Sequence, residues 1–453
     1  MSLFRRIVLD KYVLLGVISL ILLYTFLFSG NARPIRTGWP SAHSSSKFVP
    51  NASRPACYGL PGSDDVVVVM KTGSTELRDK LPVHLETTMR CYTDYLIFSD
   101  VEETFEGELI IDALESVDAK VRAEHEDFAL WRRLQKSGRA ALKNSELSGP
   151  INPPRGGGGK DNNPGWKIDK WKFLPMLNRT LQEYPGKKWF VFVETDTFLF
   201  WHTLLEYLGR LDWQVNHYMG AQINIGDIEF AHGGAGFVAS RPAMQQVVSM
   251  FNNHQKEWED FTDGHWAGDC VLGKAFKDSG TRLLGAFPIF QGDPVGNMNY
   301  ATNNMWCGPS ASYHHSSPAV VRDLFAFQEE SIMKSLASKV RGPKYHKPGY
   351  VSHKDVFASY VLPRTTKPRT NWDNHSDEDQ GPVDSLEACH AICESLPSCV
   401  QYSVNTGMRC STTARPNAGD ATRGVDSGWI HSRMEAFFNN VEKCQNDGIW
   451  HDY

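Results

Sequence analysis

The apolar run Trp189-Phe190-Val191-Phe192-Val193 leads directly into Glu194-Thr195-Asp196. Two carboxylates bracketing one small residue can offer hard oxygens to Mn2+ or Mg2+, and a metal held this way can grip a diphosphate. The same acids are equally readable as turn or helix-cap residues. Three further segments carry reactive types. His232-Gly233-Gly234-Ala235-Gly236-Phe237 is dense in glycine, which lets a backbone approach a ligand closely or turn with positive φ. Gly268-Asp269-Cys270 places a carboxylate at the start of a predicted helix, as a base or as an N-cap. Tyr313-His314-His315-Ser316 supplies imidazole nitrogens, either as metal ligands or as satisfied structural histidines.

The elements that position these residues follow from hydropathy patterning. The run ending at Val193 has the length of a strand buried on both faces, as in the middle of a parallel sheet. Its carboxyl end is where an open α/β sheet opens its ligand crevice. Val66 to Met70 predicts another buried strand, followed by a turn at 71–74, a helix over Leu81 to Arg90 and a strand at Tyr95 to Phe98. This alternation predicts an α/β layer structure with a largely parallel sheet. Trp166 to Tyr184 has helical spacing, with Pro175 expected to bend or divide it. Lys167, Asp169, Lys170 and Lys172 around its start read as a solvated helix face; the sharper reading is a lysine that reaches a donor phosphate. Residues 143–165, with Gly156 to Gly159, lack the Gly-Lys-Ser/Thr ending of a phosphate loop and read as a flexible surface loop.

The N-terminal residues point to a compartment. Arg5, Arg6 and Lys11 precede an uncharged apolar run from Tyr12 to Phe28. An uncleaved signal anchor over 12–29 is preferred to a cleaved signal peptide. The charge bias then leaves 1–11 cytosolic and the rest luminal, as a single-pass type II protein of the Golgi or ER membrane. Residues 30–56, rich in Pro, Ser, Arg and Asn, read as a stem. Asn51, Asn178 and Asn374 open candidate glycosylation sequons, and nine cysteines fit an oxidising compartment with one left over. A net charge of −5 without long basic blocks argues against nucleic acid as a partner.

Towards the C-terminus, residues 346–380 read as a linker. Cys389, Cys393, Cys399 and Cys410 follow, expected to form disulfides rather than a zinc site. They define a small module over 381–444, with a tail at 445–453.

In their order and spacing, Met70-Lys71-Thr72-Gly73, Trp166 to Pro175, Glu194-Thr195-Asp196-Thr197, Gly233-Gly234-Ala235-Gly236-Phe237, Gly268-Asp269-Cys270 and Tyr313-His314-His315 resemble the inverting β-1,3-glycosyltransferase family that contains fringe and the core 1 β-1,3-galactosyltransferases, its fungal branch above all. The likeness covers about 57–345. It implies a GT-A (Rossmann-like) catalytic domain, a UDP-sugar donor and Mn2+ or Mg2+. Asp196 matches the metal-binding last acid of the family's Asp-x-Asp motif. Glu194 matches the first acid, at the metal or the nucleotide. His314 matches the nitrogen ligand, with His315 as the neighbouring alternative. Asp269 matches the catalytic base, and Gly233, Gly234 and Gly236 the segment lining the sugars. Cys57 with Cys91, and Cys270 with Cys307, are bridges consistent with the likeness. Residues 381–444 resemble a PAN/Apple module, leaving Cys444 unpaired or paired elsewhere. The implied activity is transfer of a hexose, galactose from UDP-galactose being preferred, in β-1,3 linkage to a glycan or glycoprotein acceptor. The competing readings are an inactive glycan-binding scaffold acting through its PAN-like module, and a glycoside hydrolase with paired carboxylates.

Overall fold

The structure is a computed structural model that describes residues 54–149, 163–300, 303–339, 349–440 and 450. The expected anchor, most of the stem, Asn51, the Gly156 to Gly159 run and Cys444 lie outside the described residues. Among the described residues, no helix is long and apolar enough to cross a membrane.

Eight strands form the central sheet: β1 (Val66–Lys71), β2 (Tyr95–Ser99), β3 (Glu103–Phe105), β4 (Glu108–Asp112), β5 (Trp189–Glu194), β6 (Tyr218–Gly220), β7 (Phe237–Ser240) and β8 (Leu283–Gly285). Their spatial order is β8-β6-β7-β5-β1-β2-β4-β3. The predicted strands are present, and both β1 and the apolar part of β5 are buried. The expectation of a largely parallel sheet needs correction. β7 runs antiparallel to both β5 and β6, and β3 runs antiparallel to β4, so the sheet is mixed. The four-residue run Phe237–Ser240 is buried throughout and has no alternation that could reveal its direction.

Two apolar layers cover the sheet. Along β1, Val66, Val68 and Met70 face a cluster with Leu77, Trp201 and Leu204, whereas Val67 and Val69 face one with Phe173, Leu177 and Phe276. This alternation is what a strand buried on both faces requires. The Trp166–Tyr184 segment is divided, but not at Pro175. One helix spans Pro164–Asp169 and the next Phe173–Glu183, with Pro175 in the first turn of the second, where a missing N–H costs little.

Residues 349–380 are not an extended tether. They contain the helix His353–Val356 and further helical turns through Thr365, with Phe357 and Val361 fully buried. Beyond them, four antiparallel strands in the order Glu378–Pro382, Arg409–Thr413, Gln401–Asn405 and Val425–Trp429 pack with the helix Leu386–Ser395. Disulfides Cys389–Cys410 and Cys393–Cys399 close this module, as expected. Its Val400, Ala418, Trp429 and Met434 share one core with Phe198, Phe200, Trp306 and Tyr313. Cys57–Cys91 is also formed. Cys270 is a buried free thiol, so it does not bridge to Cys307, which is disulfide-bonded elsewhere. Asn374 is fully buried and its amide donates to the carbonyls of Tyr402 and Gly428, which leaves no room for a glycan in the folded chain.

Candidate active site

β1 and β5 lie side by side in parallel register, which sets Lys71 opposite Glu194 at their carboxyl ends. Lys71 pairs with Glu194 at 3.1 Å and also with Asp169. Burial alone would discharge this lysine, but Asp169 and Glu194 hold its pKa above the usual value. Beside it, Lys172 is buried between Asp100 at 2.6 Å and Asp169 at 3.1 Å. The solvated-face reading of this lysine cluster is therefore wrong for Lys172 and for Asp169. Residues that looked like surface charges on a helix are an ion network at the floor of a cleft.

Just past β5 the chain turns, and buried partners fix the turn. Thr197 N–H donates to the Glu194 carbonyl at 3.0 Å. His84 bridges the Thr195 carbonyl at 2.9 Å and the Thr88 hydroxyl at 2.8 Å. Burial pushes the His84 pKa down to about 4, which keeps the ring neutral, so Nε2–H donates to the carbonyl and Nδ1 accepts. Asp196 is thereby aimed into the cleft. Its Oδ2 lies 3.3 Å from the buried ammonium of Lys80, which also binds Glu76 at 2.9 Å.

The histidine turn is tied to the same point. Ser316 N–H donates to the Asp196 carbonyl at 2.7 Å, and His314 N–H to the Gln291 carbonyl at 3.1 Å. His314 Nε2 then sits 3.4 Å from Asp196 Oδ1, and His315 Nδ1 4.0 Å from Oδ2. The two rings stack with centroids 3.8 Å apart, which His315 reaches in the left-handed region with φ 52°. Burial opposes a charge on His314, yet the Asp196 carboxylate raises its pKa overall. Ligand atoms of Asp196, His314 and His315 lie within 4.8 Å of one another, forming the candidate metal group among the described residues. Glu194 is not part of that group. One carboxylate and two imidazoles suit a divalent ion such as Mn2+, and His314 Nδ1 is a buried polar atom without a hydrogen-bond partner among the described residues. The residues present fit a metal.

The glycine segment forms the wall between the histidines and Asp269. Gly233–Ala235 make one helical turn, and Gly236 leaves it with φ 81°. The Thr197 hydroxyl donates to the Gly234 carbonyl at 2.6 Å. Gly234 has to be glycine, because a Cβ there would lie 2.2 Å from His314 Cε1. Asp269 sits in the first turn of the helix Gly268–Asp278, whose N-cap is Ala267. The capping reading of Asp269 is thus set aside. Its carboxylate instead accepts from the N–H groups of Gly233 and Cys270, each at 2.9 Å. Burial, outweighing those hydrogen bonds, pushes its pKa up to about 6.

The groups that could touch a ligand line one cleft of about 620 Å3. Asp196, His314, Lys80 and Glu76 lie in it together with Glu194, Lys71, Gly234 and Asp269. Of the residues expected in one site, Asp196, Glu194, His314, Asp269 and Gly234 line this cleft; Gly233 touches it only through its N–H on Asp269, and Gly236 is not in its lining. Sequence reasoning passed over Lys71, Glu76, Lys80 and Asp100. The available signals were the matched endings of the two strand runs, Met70-Lys71 and Val193-Glu194, and the one-turn spacing of Glu76 and Lys80.

A mixed α/β sheet with acids at the carboxyl end of a central strand and a facing histidine turn fits a GT-A-like domain. The Fringe-like family model matches residues 62–285, which supports the fringe and β-1,3-glycosyltransferase family and glycosyltransferase action on glycans. No curated protein matches the chain.

Proposed function

We propose that the protein is a metal-dependent inverting glycosyltransferase that moves a hexose, galactose from UDP-galactose in the first instance, in β-1,3 linkage onto a glycan or glycoprotein acceptor. The observation that carries this reading is the pairing, within one cleft, of the Asp196–His314–His315 group with a separate carboxylate, Asp269, whose proton affinity is raised. The metal-binding role falls to Asp196 with His314, and His315 stands beside them. Glu194, engaged by Lys71, borders the place where the nucleotide enters.

A bound Mn2+ or Mg2+ supplies positive charge to the leaving diphosphate. Asp269 does the proton work. Two backbone N–H groups orient its carboxylate, which accepts the proton of the acceptor hydroxyl as that oxygen attacks the anomeric carbon and the UDP oxygen departs. Lys80 and Lys71 add positive charge to the same cleft. Neither of these two roles is shared by a hydrolase-type carboxylate pair, because Glu194 and Asp196 are already committed to lysine and histidine partners.

The disulfides and the apolar run at 12–28 support a luminal catalytic part on a type II anchor in the Golgi or ER membrane. The C-terminal module is read as PAN/Apple-like. The test is a panel of UDP-sugars incubated with the full chain in detergent, with Mn2+ or with chelator. One donor should be consumed, only with metal, and the product should carry an inverted, β-configured linkage. Equal turnover in chelator would refute the metal-dependent mechanism.

A further inference from the structure

The cleft has two chemically different halves. The inner half is ionic, with Lys71, Glu76, Lys80, Glu194, Asp196 and the histidine pair. The outer half is bounded by Trp166, His265 and Trp266, with Lys170 and Asp127 beneath them. Trp266 is 77% exposed, the most exposed large apolar side chain among the described residues. It stands three residues before Asp269, in the segment that enters the helix Gly268–Asp278.

An exposed indole on a loose loop would mean little. This one stands on a braced frame made from three separate segments. His125 Nε2 and Asp263 Oδ1 are 2.7 Å apart. Lys170 Nζ reaches Asp127 Oδ2 at 3.0 Å and the Asp263 carbonyl at 3.0 Å. Asp127 also accepts from the Trp171 indole at 2.9 Å. Closer to Asp269, the Phe173 ring packs so tightly on Gly268 that a Cβ there would lie 2.4 Å from it. The backbone carrying Trp266 is therefore fixed before any ligand arrives, and the indole face is left open to the cleft.

We propose that this outer half is a glycan-acceptor subsite in which Trp266 stacks on the C–H face of a pyranoside ring and presents its hydroxyl to Asp269. The proposal rests on the transferase reading for the direction of the reaction, but not for the sugar contact itself. A pyranoside has an apolar face and a polar rim. That matches an exposed aromatic platform ringed by His265, Lys167 and Glu126. A nucleotide diphosphate would instead seek the metal group of the inner half. A base must touch the acceptor hydroxyl, so the acceptor has to occupy the side of Asp269 away from the metal group.

The experiment uses the full chain with UDP and Mn2+ and a panel of para-nitrophenyl hexosides and N-acetylhexosaminides. Saturation-transfer NMR reads sugar contact directly, and initial rates give the acceptor KM. Trp266→Ala should lose the saturation transfer and raise the acceptor KM about tenfold, while Trp266→Phe retains most of both. UDP affinity in Mn2+ serves as the check that the cleft is intact. Unchanged glycoside contact in Trp266→Ala, or no contact in the parent protein with any glycoside, overturns the proposal. Glycoside contact that depends on Trp266 without turnover of any UDP-sugar would uphold the subsite and sink the transferase reading instead.

Discussion

Gly234→Ala should separate metal binding from the rest of the site. An ideal Cβ at Gly234 would lie 2.2 Å from His314 Cε1 and 2.3 Å from Nε2. Ordinary van der Waals contact begins near 3.4 Å, so the imidazole would have to withdraw by about 1.2 Å. It cannot do so freely, since His315 stacks against it and the His314 backbone N–H is bound to the Gln291 carbonyl. Metal sites tolerate ligand displacements of only about 0.2 Å. Loss of a well-oriented ligand should weaken Mn2+ binding by about 10–100-fold, or about 1.4–2.7 kcal/mol. The crowding itself should cost about 1–3 kcal/mol of fold stability. Electron paramagnetic resonance of free Mn2+, titrated against protein and UDP, reads the first effect, and a thermal melt reads the second. Gly186→Ala, where nothing lies within 4 Å of an added Cβ, is the control. Transfer by the Gly234 variant should recover partly at high Mn2+. Parental Mn2+ affinity in that variant would refute the placement of His314 at the metal.

Two other perturbations test different parts of the construction. The Asp269 pKa is raised above the unfolded carboxylate value, so transfer should switch on as pH rises through about 6, when the base loses its proton. The same shift costs folding stability above that pH and nothing below about 4, so Asp269→Asn should melt higher than the parent at pH 7 while losing transfer and keeping UDP–Mn2+ binding. A pH–rate profile without an acidic limb, or normal transfer by the variant, would remove Asp269 as the base. Lys172→Met leaves Asp100 fully buried without its ammonium, while Asp169 keeps Lys71, and should cost about 3–5 kcal/mol, seen as a large drop in denaturant midpoint. A midpoint unchanged from the parent would mean that the network contributes no stability.

The strand ends were readable because hydropathy and charge change together there. Val66 to Met70 and Trp189 to Val193 are both five-residue apolar runs that stop at a charged residue, and both became strands that end at the cleft. Asp269 and His314 were readable as residue types at helix and strand boundaries. The pairing register was not readable. That Lys71 faces Glu194, and that Phe237–Ser240 runs antiparallel, depends on contacts between residues far apart in the chain. Lys172 misled for a related reason. A lysine near a helix start usually faces water, and its burial here depends on the distant Asp100 and Thr72 carbonyl as well as the nearby Asp169. The low-hydropathy stretch 349–380 misled in the opposite direction, because a few scattered apolar residues, Val351, Val356, Phe357, Tyr360 and Val361, anchor it to a core shared with other segments.

That shared core has a consequence for how the chain is made. Trp306, Phe357 and Tyr313 complete their packing only with Val400, Ala418, Trp429 and Met434. At about 5–20 residues per second, the 69 residues from 366 to Met434 take on the order of 3–14 s to synthesise. For that interval the segment bearing His314 waits with an apolar flank uncovered. The core beside the histidine turn therefore cannot close in simple N-to-C order, but only after the segment through Met434 has been made.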